Sequence, residues 1–133
     1  MIRTFLNGKI HKATVTDARV EYEGSCEIDI SLLNACGIKP YEKIDLYNIT
    51  NGERLSTYAI PGRAESGIIC VNGAACHKIN VKDQIIICSY CQLQAEEIMN
   101  HKPTIIYVDD ENKIIEKANY GSINLANEGN KKR

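Results

Sequence analysis

Lys43-Ile44-Asp45-Leu46-Tyr47-Asn48-Ile49-Thr50-Asn51-Gly52-Glu53-Arg54-Leu55-Ser56-Thr57-Tyr58-Ala59-Ile60 is the stretch whose reading decides the fold. Lys43 to Ile49 reads as a strand. Asn51-Gly52 is the strongest hairpin signal in the chain, and Arg54 to Ile60 returns as the partner strand. Pro61-Gly62 ends the pair. Further hairpin and strand signals flank it on both sides.

Upstream, residues 2–6 and 8–16 look like strands separated by Asn7-Gly8, with Ile10, Ala13 and Val15 interleaved with His11, Lys12, Thr14 and Thr16. Val20 to Tyr22 is a short extended piece leading into Gly24-Ser25. Asp29 to Gly37 is a compact helix signal: Asp29 or Ser31 can cap its start, Leu32, Leu33 and Cys36 give the apolar side, and Gly37 stops it before Pro40. Downstream, Gly67 to Asn72 is a strand ending in Gly73-Ala74-Ala75, whose small side chains allow a close approach to the backbone. Gln84 to Leu93 is nearly continuous in apolar residues and reads as a central strand buried on both faces. Ala95 to His101 is a short helix before Pro103. Thr104 to Val108 and Lys113 to Glu116 form a last hairpin. Many short strands with turn signals and two or three short helices predict a closed β-barrel. One barrel domain is expected over residues 1–118, and a polar, frayed tail over 119–133.

The chain has 133 residues, enough for one domain with a real core, since 44% are hydrophobic. With no Trp and one Phe, aliphatic side chains must build that core. The formal net charge is −1, and no long basic stripe appears, which argues against nucleic acid as a partner. Lys131-Lys132-Arg133 reads as a solvated end. No apolar run is long enough for a signal peptide or a membrane span, so a soluble, cytoplasmic protein is expected. The six cysteines are then read as reduced thiols, mostly buried as small apolar groups.

Several groupings could carry chemistry. Cys88-x-x-Cys91 with Cys76-His77 invites a metal reading. Residues three apart on a strand face opposite ways, however, so no metal is expected. Lys9 and His11 share a strand face, either solvated or lining an anion site. Arg54, Ser56 and Tyr58 share another, either as a polar outer face or as a carboxylate-binding and proton-transfer pair. Tyr22-Glu23-Gly24-Ser25 reads most simply as a turn in which Gly24 takes a positive φ. It also has a chemical reading. A Gly carbonyl is unshielded, and the Ser25 hydroxyl lies within reach of it. On a strained backbone that hydroxyl can attack the Gly24 carbonyl and convert the amide to an ester. Elimination then splits the chain and leaves a ketone-bearing residue at position 25.

Five segments together resemble the pyruvoyl-dependent aspartate 1-decarboxylase family: Gly8-Lys9-Ile10-His11, Tyr22-Glu23-Gly24-Ser25, Ile44 to Gly52, Ser56-Thr57-Tyr58-Ala59-Ile60 and Val71-Asn72-Gly73-Ala74-Ala75. The resemblance runs from Met1 to about Tyr107. It implies a mainly β, double-psi β-barrel assembled as a homotetramer, with active sites between neighbouring subunits. It implies self-cleavage between Gly24 and Ser25 into a β chain, residues 1–24, and an α chain, residues 25–133, that begins with a covalent pyruvoyl group. The implied reaction is decarboxylation of L-aspartate to β-alanine and CO2 through a Schiff base, in pantothenate biosynthesis.

By the same resemblance, Ser25 is the pyruvoyl precursor and Tyr58 the proton donor. Thr57 binds substrate and donates to the oxyanion during cleavage of Gly24-Ser25. Gly73, Ala74 and Ala75 offer backbone groups to the substrate, Lys9 and Arg54 clamp its carboxylates, and Asn72 is a polar wall. Tyr47 stands where some relatives carry Trp, the loop Pro61 to Gly67 departs from the family pattern, and the match is weak after about Asn112. The competing reading is an uncleaved, non-enzymatic β-barrel interaction module.

Overall fold

A computed structural model describes residues 1–119. Nine strands and two short α-helices follow one another: β1 Ile2–Thr14, β2 Asp17–Arg19, β3 Ser25–Asp29, α1 Ile30–Cys36, β4 Lys43–Asn48, β5 Arg54–Gly62, β6 Ile69–Asn72, β7 Gln84–Gln94, α2 Ala95–Ile98, β8 Thr104–Val108 and β9 Ile114–Asn119. A 3-10 helix, Gly73–His77, follows β6. The strands form one hydrogen-bonded sheet in the order β2-β6-β3-β5-β4-β7-β1-β8-β9.

That ladder is open at β2 and β9, and side chains close it into a barrel. Asn112, in the β8–β9 turn, accepts from Thr14 N at 2.8 Å and donates to the carbonyls of Thr14 and Gly67, each at 2.8 Å. It is 2% exposed, so its amide is fully used inside the fold. Where the chain leaves β1, Thr16 exchanges hydrogen bonds with Ile69 in β6. Residues from opposite ends of the ladder, Ile69 and Val71 at one end and Ile106 and Val108 at the other, share a single core with Ile10, Leu33, Leu46 and Ile87. The core is aliphatic, as the absence of Trp and the single Phe require.

The central hairpin, α1 and the strand at Gln84 form where the sequence places them. Asp29 caps α1 by accepting from Ser31 N, and Gly37 closes it in the left-handed conformation at φ 77°. Other expectations are corrected. Asn7-Gly8 does not split β1. The register slips between Leu6 and Gly8, so the extra residue is absorbed as a bulge. Gly8 is needed for space: a Cβ there would collide with the Cys36 carbonyl oxygen at the end of α1. Val20 to Tyr22 is a turn, with Tyr22 N donating to Arg19 O at 3.2 Å, and the extended piece is β2. β5 runs on through Pro61-Gly62 because it pairs in parallel with β3, Ile28 to Pro61 and Asp29 to Gly62. Only the first half of β7 is buried, and from Tyr90 its side chains emerge. α2 ends at Ile98 rather than His101. Asn119 closes β9, and the expected frayed tail otherwise lies outside the described residues. Among these, no helix is long and apolar enough to cross a membrane.

Asp29 does more than cap a helix. Its carboxylate also accepts from Glu65 N at 3.0 Å and Gly67 N at 2.9 Å, and so anchors the loop before β6. Burial alone would raise this carboxyl. The hydrogen bonds from Gly67, Ser31 and Glu65 outweigh burial and hold it below the ordinary carboxylate range. A depressed native value adds stability above the unfolded-state value, and that stability is lost as pH falls through the native value. Asp29→Ala is expected to lower stability by roughly 2–4 kcal/mol at pH 7. Thermal melting across pH should then show a shallower acid-side loss below about pH 4 than in the unaltered chain.

Candidate active site

Ser25 opens β3 and is 4% exposed. Antiparallel pairing sets it opposite Asn72, the last residue of β6. Asn72 is 3% exposed, and its Nδ2 donates to Ser25 Oγ at 3.0 Å. The Ser25 hydroxyl points back to the Glu23 carbonyl at 3.5 Å. On its other edge β3 runs parallel to β5, with Cys26 beside Ala59. The residues just before these, Ser25 and Tyr58, therefore enter side by side.

Two adjoining cavities meet here. One, of about 430 Å³, is lined by Gly24, Leu55, Ser56, Thr57, Tyr58, Asn72, Ala74, Ala75 and Lys78. The other, of about 320 Å³, is lined by Tyr22, Glu23, Ser25, Tyr41, Tyr58, Ile60 and Asn72. Tyr58 and Asn72 belong to both. The fold thus collects Gly24, Ser25, Thr57, Tyr58, Asn72, Ala74 and Ala75 at one place. Thr57 and Tyr58 both border the first cavity although they are neighbours on a strand.

Gly73 is the glycine the site requires. Its φ is +72°, and a Cβ on it would lie 2.8 Å from Gly24 Cα and 3.0 Å from the Tyr22 carbonyl oxygen. Gly24 is different. Its φ lies outside the left-handed region, and a Cβ there would meet nothing within 4 Å. The positive φ expected at Gly24 is therefore found at Gly73, on the strand end beneath it.

The single chain does not bring Lys9 and Arg54 to Ser25. Arg54 stacks its guanidinium 4.5 Å above the Tyr47 ring and lines a separate cavity with Tyr47, Asn48, Glu53 and Ile86. Four residues of strand separate it from Tyr58, about 13 Å between Cα atoms. Lys9 lies across the sheet in β1 beside Cys88, which in turn pairs with Asp45. Both cations act on the Cys88 thiol, which burial raises and they pull back. Lys9, Cys88, Asp45 and Ser56 thus stand in one row across β1, β7, β4 and β5, with Arg54 two residues from that row, in a region where the Tyr47 hydroxyl meets the Tyr90 hydroxyl at 2.6 Å and Ser56 Oγ donates to Asp45 at 2.5 Å.

Sequence reasoning missed Lys78 and Tyr41. Lys78, which caps the 3-10 helix, is the cation at the edge of the larger cavity and pairs with Glu53 at 3.6 Å. Tyr41 packs against Tyr58 with ring centroids 6.3 Å apart. Only the position of Lys78 just after Gly73-Ala74-Ala75 hinted at the first. Nothing local marked the second. Among the described residues, no group of three His, Cys, Asp or Glu side chains is placed to hold a metal. Gly73→Ala is expected to displace Gly24 and to reduce any scission at Gly24-Ser25 by roughly tenfold or more, read by intact mass, while Gly52→Ala, at the positive-φ glycine of the β4–β5 turn where a Cβ meets nothing within 4 Å, should leave scission unaltered.

A family model described as aspartate decarboxylase matches residues 1–115. The aspartate 1-decarboxylase of Thioalkalivibrio sulfidiphilus (strain HL-EbGR7) is 55% identical over 115 residues, which covers 86% of this chain and 91% of that one. That of Clostridium beijerinckii (strain ATCC 51743 / NCIMB 8052) is 48% identical over 122 residues, covering 92% and 98%. A crystal structure of the rationally designed mkDPBB_sym_86 protein is similar at a TM-score of 0.45 and 9% identity, over 58% of this chain and 90% of that one. The chain belongs to the aspartate decarboxylase family.

Proposed function

We propose that this chain decarboxylates L-aspartate to β-alanine and CO2, in the supply of pantothenate, after cutting itself between Gly24 and Ser25. One observation carries the reading. A buried serine hydroxyl, adjacent in sequence to an unshielded glycine carbonyl, is held by Asn72 where two cavities meet at Tyr58. The uncleaved, non-enzymatic alternative is not favoured, because the relatives named as decarboxylases match over nearly their whole length.

Maturation uses groups already in place. Ser25 Oγ attacks the Gly24 carbonyl carbon, and its proton passes to the departing amide nitrogen, which gives an ester and a free amine. Thr57, bordering the cavity that holds Gly24, is suited to donate to the oxyanion formed on the way. Loss of the Ser25 α-proton then breaks the ester C–O bond. Gly24 leaves as a carboxylate and residue 25 becomes unsaturated. Tautomerisation to an imine and hydrolysis by one water release ammonia and leave a ketone. This group is no larger than the residue it replaces, and the adjoining cavities leave room for a four-carbon dicarboxylate, so the site fits it.

The pyruvoyl ketone supplies a sink for the electron pair left when CO2 departs. The remaining work falls to side chains. Tyr58 sits beside residue 25 and is a neutral phenol able to deliver a proton to the substrate Cα. The short side chains of Ala74 and Ala75 leave their backbone open to the substrate. Lys9 and Arg54 lie away from Ser25 within one chain. We assign them the substrate carboxylates through a homotetramer, where a neighbouring copy presents its Lys9–Arg54 face to this cavity. The Arg54 fork, steadied by Tyr47, gives directionality that Lys lacks. A cytoplasmic enzyme accords with this role.

Ser25→Ala is expected to remain a single chain and to release no β-alanine. Tyr58→Phe should cleave normally, yet decarboxylate roughly a hundredfold more slowly in a CO2-release assay. Full turnover by Tyr58→Phe would assign the proton to another donor. A cleaved, unaltered chain that releases no CO2 from aspartate would overturn the proposed reaction.

A further inference from the structure

The hydrogen bond from Asn72 to Ser25 is one end of a longer chain. Asn72 Oδ1, the other arm of the same amide, accepts from Cys70 Sγ at 3.3 Å. Cys70 is 0% exposed and stands two residues earlier on β6, so its side chain and that of Asn72 share a face. The thiol's other acceptor, the Val71 carbonyl, is farther off at 3.9 Å.

An asparagine amide can sit either way round. A neutral thiol distinguishes the two, because its proton must find an oxygen, while its sulfur is a poor acceptor for N–H. With the Cys70 proton directed at Oδ1, Nδ2 is left facing Ser25. In the flipped orientation Oδ1 would face Ser25 and draw the hydroxyl proton toward Asn72. The serine oxygen would then lose its donated N–H, the contact that stabilises negative charge as the oxygen attacks Gly24. We propose that Cys70 is a positioning residue for self-cleavage: its thiol fixes the Asn72 amide in the orientation that donates to Ser25 Oγ. The inference rests on the self-cleavage reading above. Burial raises the Cys70 thiol above its ordinary range, with Arg19 pulling partly back, so the donor keeps its proton at neutral pH.

The test follows loss of the uncleaved full chain by intact mass after cell-free synthesis, for the unaltered chain, Cys70→Val, Cys70→Ser, Asn72→Ala and the Cys70→Val/Asn72→Ala pair. Cys70→Val keeps the bulk and removes the donor, and is expected to slow scission by roughly three- to tenfold. Cys70→Ser restores a donor and should return the rate to within about twofold of the unaltered chain. In the Asn72→Ala background Cys70→Val should add no further loss, because its path to Ser25 is gone. Equal rates for Cys70→Val and the unaltered chain would overturn the proposal, as would equal slowing by valine and serine, or losses that simply multiply in the pair. An unaltered chain that never cleaves would overturn the self-cleavage reading itself, a result distinct from the other three.

Discussion

Pairing of β3 with β6 is the constraint on which the site depends. It is a short ladder, Ser25 to Asn72 through Ile28 to Ile69. Its first rung sets the Ser25 hydroxyl against the Asn72 amide, and the residue after that rung, Gly73, lies against Gly24. Ser25 and Asn72 are 4% and 3% exposed, so the hydroxyl–amide contact is held inside the fold at the cavity wall. Moving β6 by one residue would put Val71 or Gly73 opposite Ser25 and turn Asn72 to the other face. The serine would then keep its hydroxyl and lose the group that directs it.

The rest of the barrel holds this ladder in register from three sides. β5 pairs with the other edge of β3 and delivers Tyr58 beside Ser25. At the far end of β3, Asp29 ties α1, the loop through Glu65 and the approach to β6 into one carboxylate-centred knot. Behind β3 and β6, Cys26, Ile28, Ile69 and Val71 are all fully buried in the common core. A strand of five residues is thus fixed by a hydroxyl–amide contact at its start, a charged hub at its end and close packing along its length. Such a scaffold holds the Ser25 hydroxyl in one place at the start of β3.

Much of this was legible in the sequence, and the gaps have physical causes. The central hairpin, α1 and β7 announce themselves through local signals: Asn51-Gly52, the Asp29 and Gly37 caps, and an unbroken apolar run. β3 does not. Ser-Cys-Glu-Ile-Asp carries no turn signal or clear period, and its strand state comes from two neighbours far away in sequence. Glycine made a similar difficulty. The sequence marks Gly24 and Gly73 alike, yet only packing shows that Gly73 needs the positive φ and the missing Cβ, while Gly24 needs neither. That leaves the unshielded carbonyl of Gly24 as the reason a glycine suits that position. Ser25, Thr57, Tyr58, Asn72, Ala74 and Ala75 were named from the sequence and converge. Lys9 and Arg54 were named too, but they lie farther along the sheet from Ser25, a separation that strand pairing decides and no motif encodes. Cys70 looked like one of six interchangeable buried thiols until its hydrogen bond to Asn72 was visible.

Intact-mass analysis of the purified full chain tests the central claim most directly. The account predicts two chains that meet at Gly24-Ser25, residues 1–24 ending in a normal carboxylate and residues 25–133 beginning with a ketone in place of a free amine. A single chain that keeps its full mass on prolonged incubation, or a break at any other bond, would contradict it.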